Sequence, residues 1–205
     1  VEAGYPFFLD EGESFSNLCA SQDGHFLYLV TDKGNLLFFD KIAGKVVRQF
    51  KYSINPSANA TTIMSEGEYI WVSSVVDGVT RLHIPTGKSD HYQYNEDVGL
   101  SSLSHTDAYG VVALENDSYI AVTWNGYTLL TPEENDPSKL SATPYTNTSF
   151  LQYRNVETRM ISVYYDKEGI LWIGTRGGGI VYFDFRQHSY MPVSYTHLRA
   201  HETKA

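Results

Sequence analysis

Cysteine is nearly absent from this sequence: Cys19 stands alone among 205 residues. No disulfide can form within the chain, and a cysteine-built zinc site is excluded. Missing too is any run of about 18 apolar residues, the length a membrane-spanning helix needs. Charged residues make up only 19%, with 24 acidic against 15 basic side chains and a formal net charge of −9. That balance offers no basic stripe, so neither nucleic acid nor an anionic membrane surface is an expected partner. The chain opens on Val1 with no initiator methionine and no signal-like segment, and reads as a piece of a longer protein.

What is present points to strands. Aromatic residues reach 14%, and there are 16 glycines and 16 tyrosines. Many tight turns between half-buried, aromatic-rich strands give such a balance, which predicts an all-β protein. The stretch "GTRGGG" (174–179) looks at first like a phosphate cradle. A phosphate loop needs a helix behind it, whose N-terminus faces the anion. Here "GIVYFDF" (179–185) follows, β-branched and aromatic, with no Lys-Ser/Thr pair after the glycines. The glycines instead supply positive φ for a hairpin turn.

A repeat organises the whole chain. "FLYLVTDKGNLLFFD" (26–40), "YIWVSSVVDGVTRLH" (69–83) and "ILWIGTRGGGIVYFD" (170–184) share one frame, and "YIAVTWNGYTLL" (119–130) fits it more loosely. Mid-strand slots fall at Tyr28, Trp71, Ala121 and Trp172, which are 43, 50 and 51 residues apart. Asp40 to Lys45 and His83 to Lys88 form a second frame with the same 43-residue step. Each unit reads as four short antiparallel strands, and units of this length are β-propeller blades. Trp71, Trp172, Phe39, Leu82, Leu129 and Phe183 are expected to pack between blades, while Asp40 and Asp184 cap the turns that follow them. The expected fold is therefore all-β: an open arc of about four four-stranded antiparallel blades, a β-propeller fragment over 1–193. The blades fall at about 15–52, 60–94, 107–131 and 159–193, with a leftover outer strand at 4–9 and a long crossover from 131 to 158. A seven-bladed ring at this period would take roughly 340 residues, so the arc is expected not to close.

"DKEGILWIGTRGGGIVYFD" (166–184) also carries a resemblance. It is similar to the repeat of the two-component regulator propeller family, D-x-x-G-x-L-W-I-G-T-x-x-G-G-L-x-x-Y/F-D, and Gly99-Leu100-Ser101-Ser102 is similar to that family's lead-in to an inner strand. The other blades are degenerate, and Ala121 departs from the tryptophan slot. The resemblance implies the periplasmic sensor of a hybrid histidine kinase in an inner-membrane protein of glycan-degrading bacteria. Such a module is non-catalytic, senses glycan breakdown products and relays the signal to transcription. It needs no cofactor. Its expected partners are an oligosaccharide or other small ligand and the remaining blades of the parent chain, and the resemblance also allows a homodimer of the parent. The alternative is a quinoprotein-like propeller enzyme or assembly scaffold, whose repeat "FLYLVTDKGNLLFFDKIAGKVVRQF" (26–50) resembles without its terminal tryptophan.

Catalysis finds little support, and no catalytic residue is assigned. No G-x-S-x-G elbow occurs, and the turns at 21–28 and 164–172 resemble sialidase repeats only without their Thr-Trp ending. His197 and His201 imitate a zinc-binding pair, but no third ligand is near, and no metal site is assigned. Their segment, "SYTHLRAHETKA" (194–205), resembles translated adapter read-through and is expected to be non-native. Loops on a rigid scaffold carry binding groups, so the second-to-third-strand turns and the 131–158 crossover are the expected ligand face. Candidate ligand-binding residues are Trp124, Asn125, Tyr153, Arg154 and Arg176, with Tyr145 nearby in sequence. An open arc leaves a blade face uncovered at each end. Residues 1–193 alone are expected to melt broadly and to associate, and a sharp, reversible, monomeric transition in calorimetry would contradict the open arc.

Overall fold

Alternating apolar side chains make each strand two-faced, and here both faces of most strands are apolar, so every sheet needs a cover on each side. The computed structural model describes Leu9 and residues 11–96, 102–115, 117–146 and 159–184. Among these residues there are fifteen strands in four antiparallel sheets, each in simple sequence order. The first blade is β1 (Phe15–Ala20), β2 (Phe26–Thr31), β3 (Asn35–Asp40) and β4 (Lys45–Lys51). The second is β5 (Asn59–Glu66), β6 (Tyr69–Val75), β7 (Gly78–His83) and β8 (Ser89–Tyr92). β9 (Ala108–Ala113), β10 (Tyr119–Thr123), β11 (Gly126–Glu133) and β12 (Asp136–Thr146) form the third. Three strands of the fourth are described: β13 (Arg159–Tyr165), β14 (Ile170–Arg176) and β15 (Gly179–Asp184). β14 and β15 pair as the hairpin expected across the glycine-rich turn, with Gly177 and Gly179 at φ of 90° and 80°.

The third blade runs past its expected boundary at 131. The segment read as a crossover loop holds β12, which pairs with β11 from Glu133↔Asp136 out to Gly126↔Thr146. Prolines at 137 and 144 hid it, but β12 is the outermost strand of its sheet, where a missing N–H breaks no ladder. The expected outer strand at 188–193 and the tail at 194–205 lie outside the described residues, as does the expected strand at 4–9 apart from Leu9, which is in no strand.

Three apolar seams join the four blades. Tyr28, Val30, Leu36 and Phe38 of the first blade meet Ala60, Ile70, Val72 and Leu82 of the second. Trp71 and Val79 of the second meet Val111, Tyr119, Ala121 and Leu130 of the third. Ile120, Val122 and Tyr127 of the third meet Met160, Leu171 and Ile173 of the fourth. Trp71 is 1% exposed, with its ring centroid 4.4 Å from that of Tyr119. Burying such a ring contributes on the order of 2–3 kcal/mol.

The seams correct one alignment. Tyr28 and Trp71 face the following blade, three residues before Thr31 and Ser74. The same count back from Thr123 reaches Ile120, which faces the fourth blade, whereas Ala121 faces the second. The slot in the third blade is therefore Ile120, and its third-strand counterpart facing the second blade is Leu130 rather than Leu129. β10 has five residues where the other second strands have six or seven, and a one-residue slip moves every side chain to the opposite face. Trp172 holds the slot of the fourth blade and faces away from the third. It is 36% exposed where Trp71 is buried, and Tyr164 and Ile180 are exposed too. Its indole N–H donates to Asp166 Oδ2 at 2.6 Å, and Oδ1 of Asp166 accepts the Glu168 and Ile170 N–H groups. Asp40 caps its turn as expected, accepting from the Ile42 and Ala43 N–H groups at 2.8 Å.

First strands lie beside one another along the seams, and each carries one bulge, at Ser16, Thr61, Tyr109 and Ile161. Asn17 Nδ2 donates to Thr61 O at 2.9 Å, and Thr61 Oγ1 to Ala108 O at 2.7 Å, stitching blade to blade. A bulge re-aims the extra residue's side chain, which matters at Tyr109.

Two backbone positions and three buried or half-buried groups give measurable consequences. Val76 sits at φ 74°, a left-handed conformation that a β-branched residue strongly disfavours and asparagine tolerates. Val76→Asn should raise the urea-unfolding free energy by about 1 kcal/mol. Gly78 needs its φ of 72°, and a Cβ there would collide with Tyr92 O. Gly78→Ala should therefore lower the same free energy by roughly 2 kcal/mol or more. Burial pushes the Cys19 thiol up from 9.0 to about 11, and the Tyr52 and Tyr92 phenols up from 10.0 to about 12. Each group favours the folded chain while neutral, so that stability is intact below the unfolded values. It is lost as pH rises through about 11 and 12. A melting series by circular dichroism should begin to fall above pH 9, the unfolded thiol value, and keep falling to pH 12.

Candidate functional site

The second-to-third-strand turns of all four blades open on one end of the arc. Their closure explains the hydroxyl residue near the end of each second strand, Thr31, Ser74, Thr123 and Thr175. Ser74, Thr123 and Thr175 donate their hydroxyls to the carbonyls of Gly78, Gly126 and Gly179 at 3.3, 3.2 and 2.8 Å. Thr31 Oγ1 instead accepts the Asn35 N–H at 3.3 Å. Asp107 clamps two neighbouring turns together. Its Oδ1 accepts the Val76 N–H at 2.9 Å, and its carbonyl accepts the Trp124 N–H at 2.9 Å. Asp77, in the second turn, accepts from Gln93 Nε2 at 2.7 Å and from the Ser53 hydroxyl. The turns of the second and third blades are thus tied to the crossovers through Ser53, Gln93 and Asp107.

One cluster on this face gathers aromatic and cationic groups. Trp124 is half-buried in the turn between β10 and β11. Tyr109, the bulge residue of β9, lies beside it with ring centroids 5.7 Å apart. Two guanidiniums from the next blade lie over the indole, Arg159 at 4.9 Å and Arg176 at 5.9 Å from the ring centroid. Each such contact is worth about 0.5–1 kcal/mol at an exposed site. Both arginines are exposed, and they are direct partners in the antiparallel register, Arg159↔Arg176. Like charges directly opposite one another are destabilising.

Of the residues expected from sequence, Trp124 and Arg176 come together across a blade seam, and Asn125 sits half-buried beside Trp124 in the same turn. Tyr153 and Arg154 lie outside the described residues. Tyr145 is not in a ligand loop: it belongs to β12 and stacks on Tyr127 with centroids 5.0 Å apart. Sequence reasoning missed Arg159 and Tyr109. Counting back across the "KEG" turn from Arg176 reaches Arg159 once the bulge is allowed for, whereas nothing in "AYGVVA" marks Tyr109 as a bulge. A second feature on this end is a cleft of about 300 Å³ between β8 and the third blade, lined by Tyr92, Gln93, Tyr94, Ser102 and Leu103 among others. Among the described residues, no three His, Cys, Asp or Glu side chains converge as a metal cluster, and no helix is long and apolar enough to cross a membrane.

Comparison with known proteins agrees with this architecture. Residues 156–177 match the two component regulator propeller family. No curated protein matches the chain. Among solved structures, it is similar to the extracellular domain described for a hybrid two component system of B. thetaiotaomicron, at 18% identity and a TM-score of 0.63, over 85% of this chain and 24% of that one. A second such extracellular domain from the same organism aligns at 16% identity and a TM-score of 0.64, over 89% and 22%. The β-propeller domain of Cps50 (Swd1) from Myceliophteria thermophila aligns at 15% identity and a TM-score of 0.61, over 91% and 54%. The chain thus spans about a quarter of the length of the extracellular domains it resembles. Part of its last blade is similar to the two component regulator propeller repeat, and the four blades together form an unclosed, all-β propeller arc.

Proposed function

We propose that the chain is the sensor propeller of a hybrid two-component histidine kinase and response regulator. In this reading it is a non-catalytic module on the periplasmic side of an inner-membrane protein. It binds glycan breakdown products, and its occupancy is relayed to transcription. One observation carries the reading: Arg176 lies inside the segment matched to the regulator propeller family and also over the indole of Trp124 in the preceding blade. The family repeat and the most chemically equipped cluster on the turn face therefore share a residue. Likeness to extracellular domains of hybrid two component systems supports the compartment.

The chemistry suits a small polar ligand on a rigid scaffold. Asn125 offers an amide that can both donate to and accept from sugar hydroxyls, and Tyr153 and Arg154 follow in the next crossover. The remaining blades of the parent chain and a second copy of the parent are the macromolecular partners in this reading. A transcriptional reporter in the full-length parent tests it. Trp124→Ala and Arg176→Ala should each cut the glycan response by roughly tenfold or more. The melting temperature of the purified protein should stay within about 3 °C, as for surface changes. A full response from both variants would refute the site.

A further inference from the structure

Four histidines lie among the described residues, and three of them can take up a proton without losing a bond. His25 Nε2 lies 3.2 Å from Asp40 Oδ1, a contact that an imidazolium strengthens. His83 Nδ1 meets the Thr86 hydroxyl at 2.8 Å, and a hydroxyl can either donate or accept. The Thr80 hydroxyl already donates to Tyr52 O at 2.7 Å, so His91 Nδ1 is the donor to it at 3.0 Å, and His91 Nε2 meets the Ser89 hydroxyl. His105 differs. Its Nδ1 accepts the main-chain N–H of Asp107 at 3.0 Å. That donor cannot reverse its role, so the neutral ring carries its proton on Nε2, and an imidazolium has no lone pair left to offer. Asp107 gives this bond its weight. Its Oδ1 accepts the Val76 N–H and its carbonyl the Trp124 N–H, each at 2.9 Å, joining the turns of the second and third blades. Its Oδ2 stands 3.9 Å from His105 Nδ1, beyond hydrogen-bond reach.

We infer that His105 and Asp107 form a pH-sensitive latch on the turn face. The neutral ring leaves the Asp107 carboxylate on the Val76 N–H, and proton uptake draws that carboxylate to the imidazolium. Once Nδ1 carries a proton it opposes the Asp107 N–H and becomes a donor toward Oδ2. A charge-assisted N–H···O bond closes to about 2.7–2.9 Å, so Oδ2 must approach by about 1 Å. The carboxylate is planar and moves as one piece, which takes Oδ1 off the Val76 N–H. Val76 sits at φ 74°, a conformation that a β-branched residue keeps only while its surroundings hold it. Release of its N–H lets the β6–β7 turn relax. The other titratable groups on the joined elements are already placed. Tyr94 stacks on His105 with ring centroids 6.3 Å apart, and its hydroxyl lies 3.4 Å from Glu96 Oε1. Both Asp77 oxygens are held, by Gln93 and Ser53, and Tyr109 packs on Trp124. The clamp is therefore intact above the titration of His105 and lost below it. The latch needs no ligand and does not depend on the sensor reading.

Amide hydrogen exchange followed by NMR on the 205-residue chain tests this at pH 7.5 and pH 5.8, two values within the range where histidine changes charge. The Val76 protection factor, corrected for the pH dependence of intrinsic exchange, should fall roughly fivefold or more at the lower pH. That fall should share its midpoint with the shift of the His105 ring protons. Ile120, wholly buried in the third blade, should keep its protection, so that the loosening is confined to the turn. His105→Asn retains an oxygen for the Asp107 N–H, in the manner of an Asx-turn, but takes up no proton. It should hold the Val76 protection constant between the two pH values. Asp107→Asn retains an oxygen for the Val76 N–H without a charge to meet the imidazolium, and should hold it constant as well. Unchanged Val76 protection in the native chain overturns the inference. A fall that persists in either folded variant also overturns it, because the titrating group then lies elsewhere. So does a parallel fall at Ile120, which would be general unfolding rather than a latch.

Discussion

Everything in this molecule depends on covering the apolar face of one blade with the next. A four-stranded sheet whose two sides are both apolar cannot stand alone in water. Here Tyr28 and Val30 are covered by Ile70 and Val72, Trp71 by Tyr119 and Ala121, and Ile120 and Val122 by Leu171 and Ile173. The seams interlock large against small, as with the Trp71 indole in the same seam as Ala121. The first strands are tied across the seams as well, by Asn17 to Thr61 and by Thr61 to Ala108. Order in such an array passes from neighbour to neighbour, and a blade with one face uncovered shows it. Trp172, whose counterpart Trp71 is buried, is over a third exposed at the far side of the fourth blade.

The same stacking creates the chemistry. Trp124 belongs to the third blade, while Arg159 and Arg176 belong to the fourth. No single blade contains the cluster, and a small rotation of one sheet on the other would separate the indole from the guanidiniums. The seam of Ile120, Val122 and Tyr127 against Met160, Leu171 and Ile173 therefore sets the geometry of the site as well as its stability. Asp107 adds a polar clamp across the neighbouring seam, bonding the turns of the second and third blades. This is how a propeller turns short, otherwise mobile hairpin ends into a fixed face.

The repeat was legible without coordinates because its physics is local. A strand of β-branched and aromatic residues, a threonine or serine at the turn and a glycine at positive φ recur in each blade, and each leaves a mark within fifteen residues. The Thr31, Ser74, Thr123 and Thr175 series does so although the residues that follow, Asp32, Val75, Trp124 and Arg176, all differ. Where a blade departs from the pattern, that legibility failed by a single residue. The short β10 shifted the slot from Ala121 to Ile120, and two prolines made the edge strand β12 read as a loop. Trp124 and Arg176 were recoverable as turn residues, but their meeting was not, since they are 52 positions apart and on different sheets.

By itself, then, the sequence determined that the chain is all-β, that it repeats in four-stranded units, and where most of the turns fall. These follow from alternation, β-propensity and the φ demands of glycine, all of which act over a few residues. Only the tertiary structure decided which face of each strand is covered, which aromatic rings are buried and which cations share one indole. Those outcomes depend on register and on the stacking of sheets. A bulge at Tyr109 or one residue fewer in β10 reverses them without changing the composition of the segment.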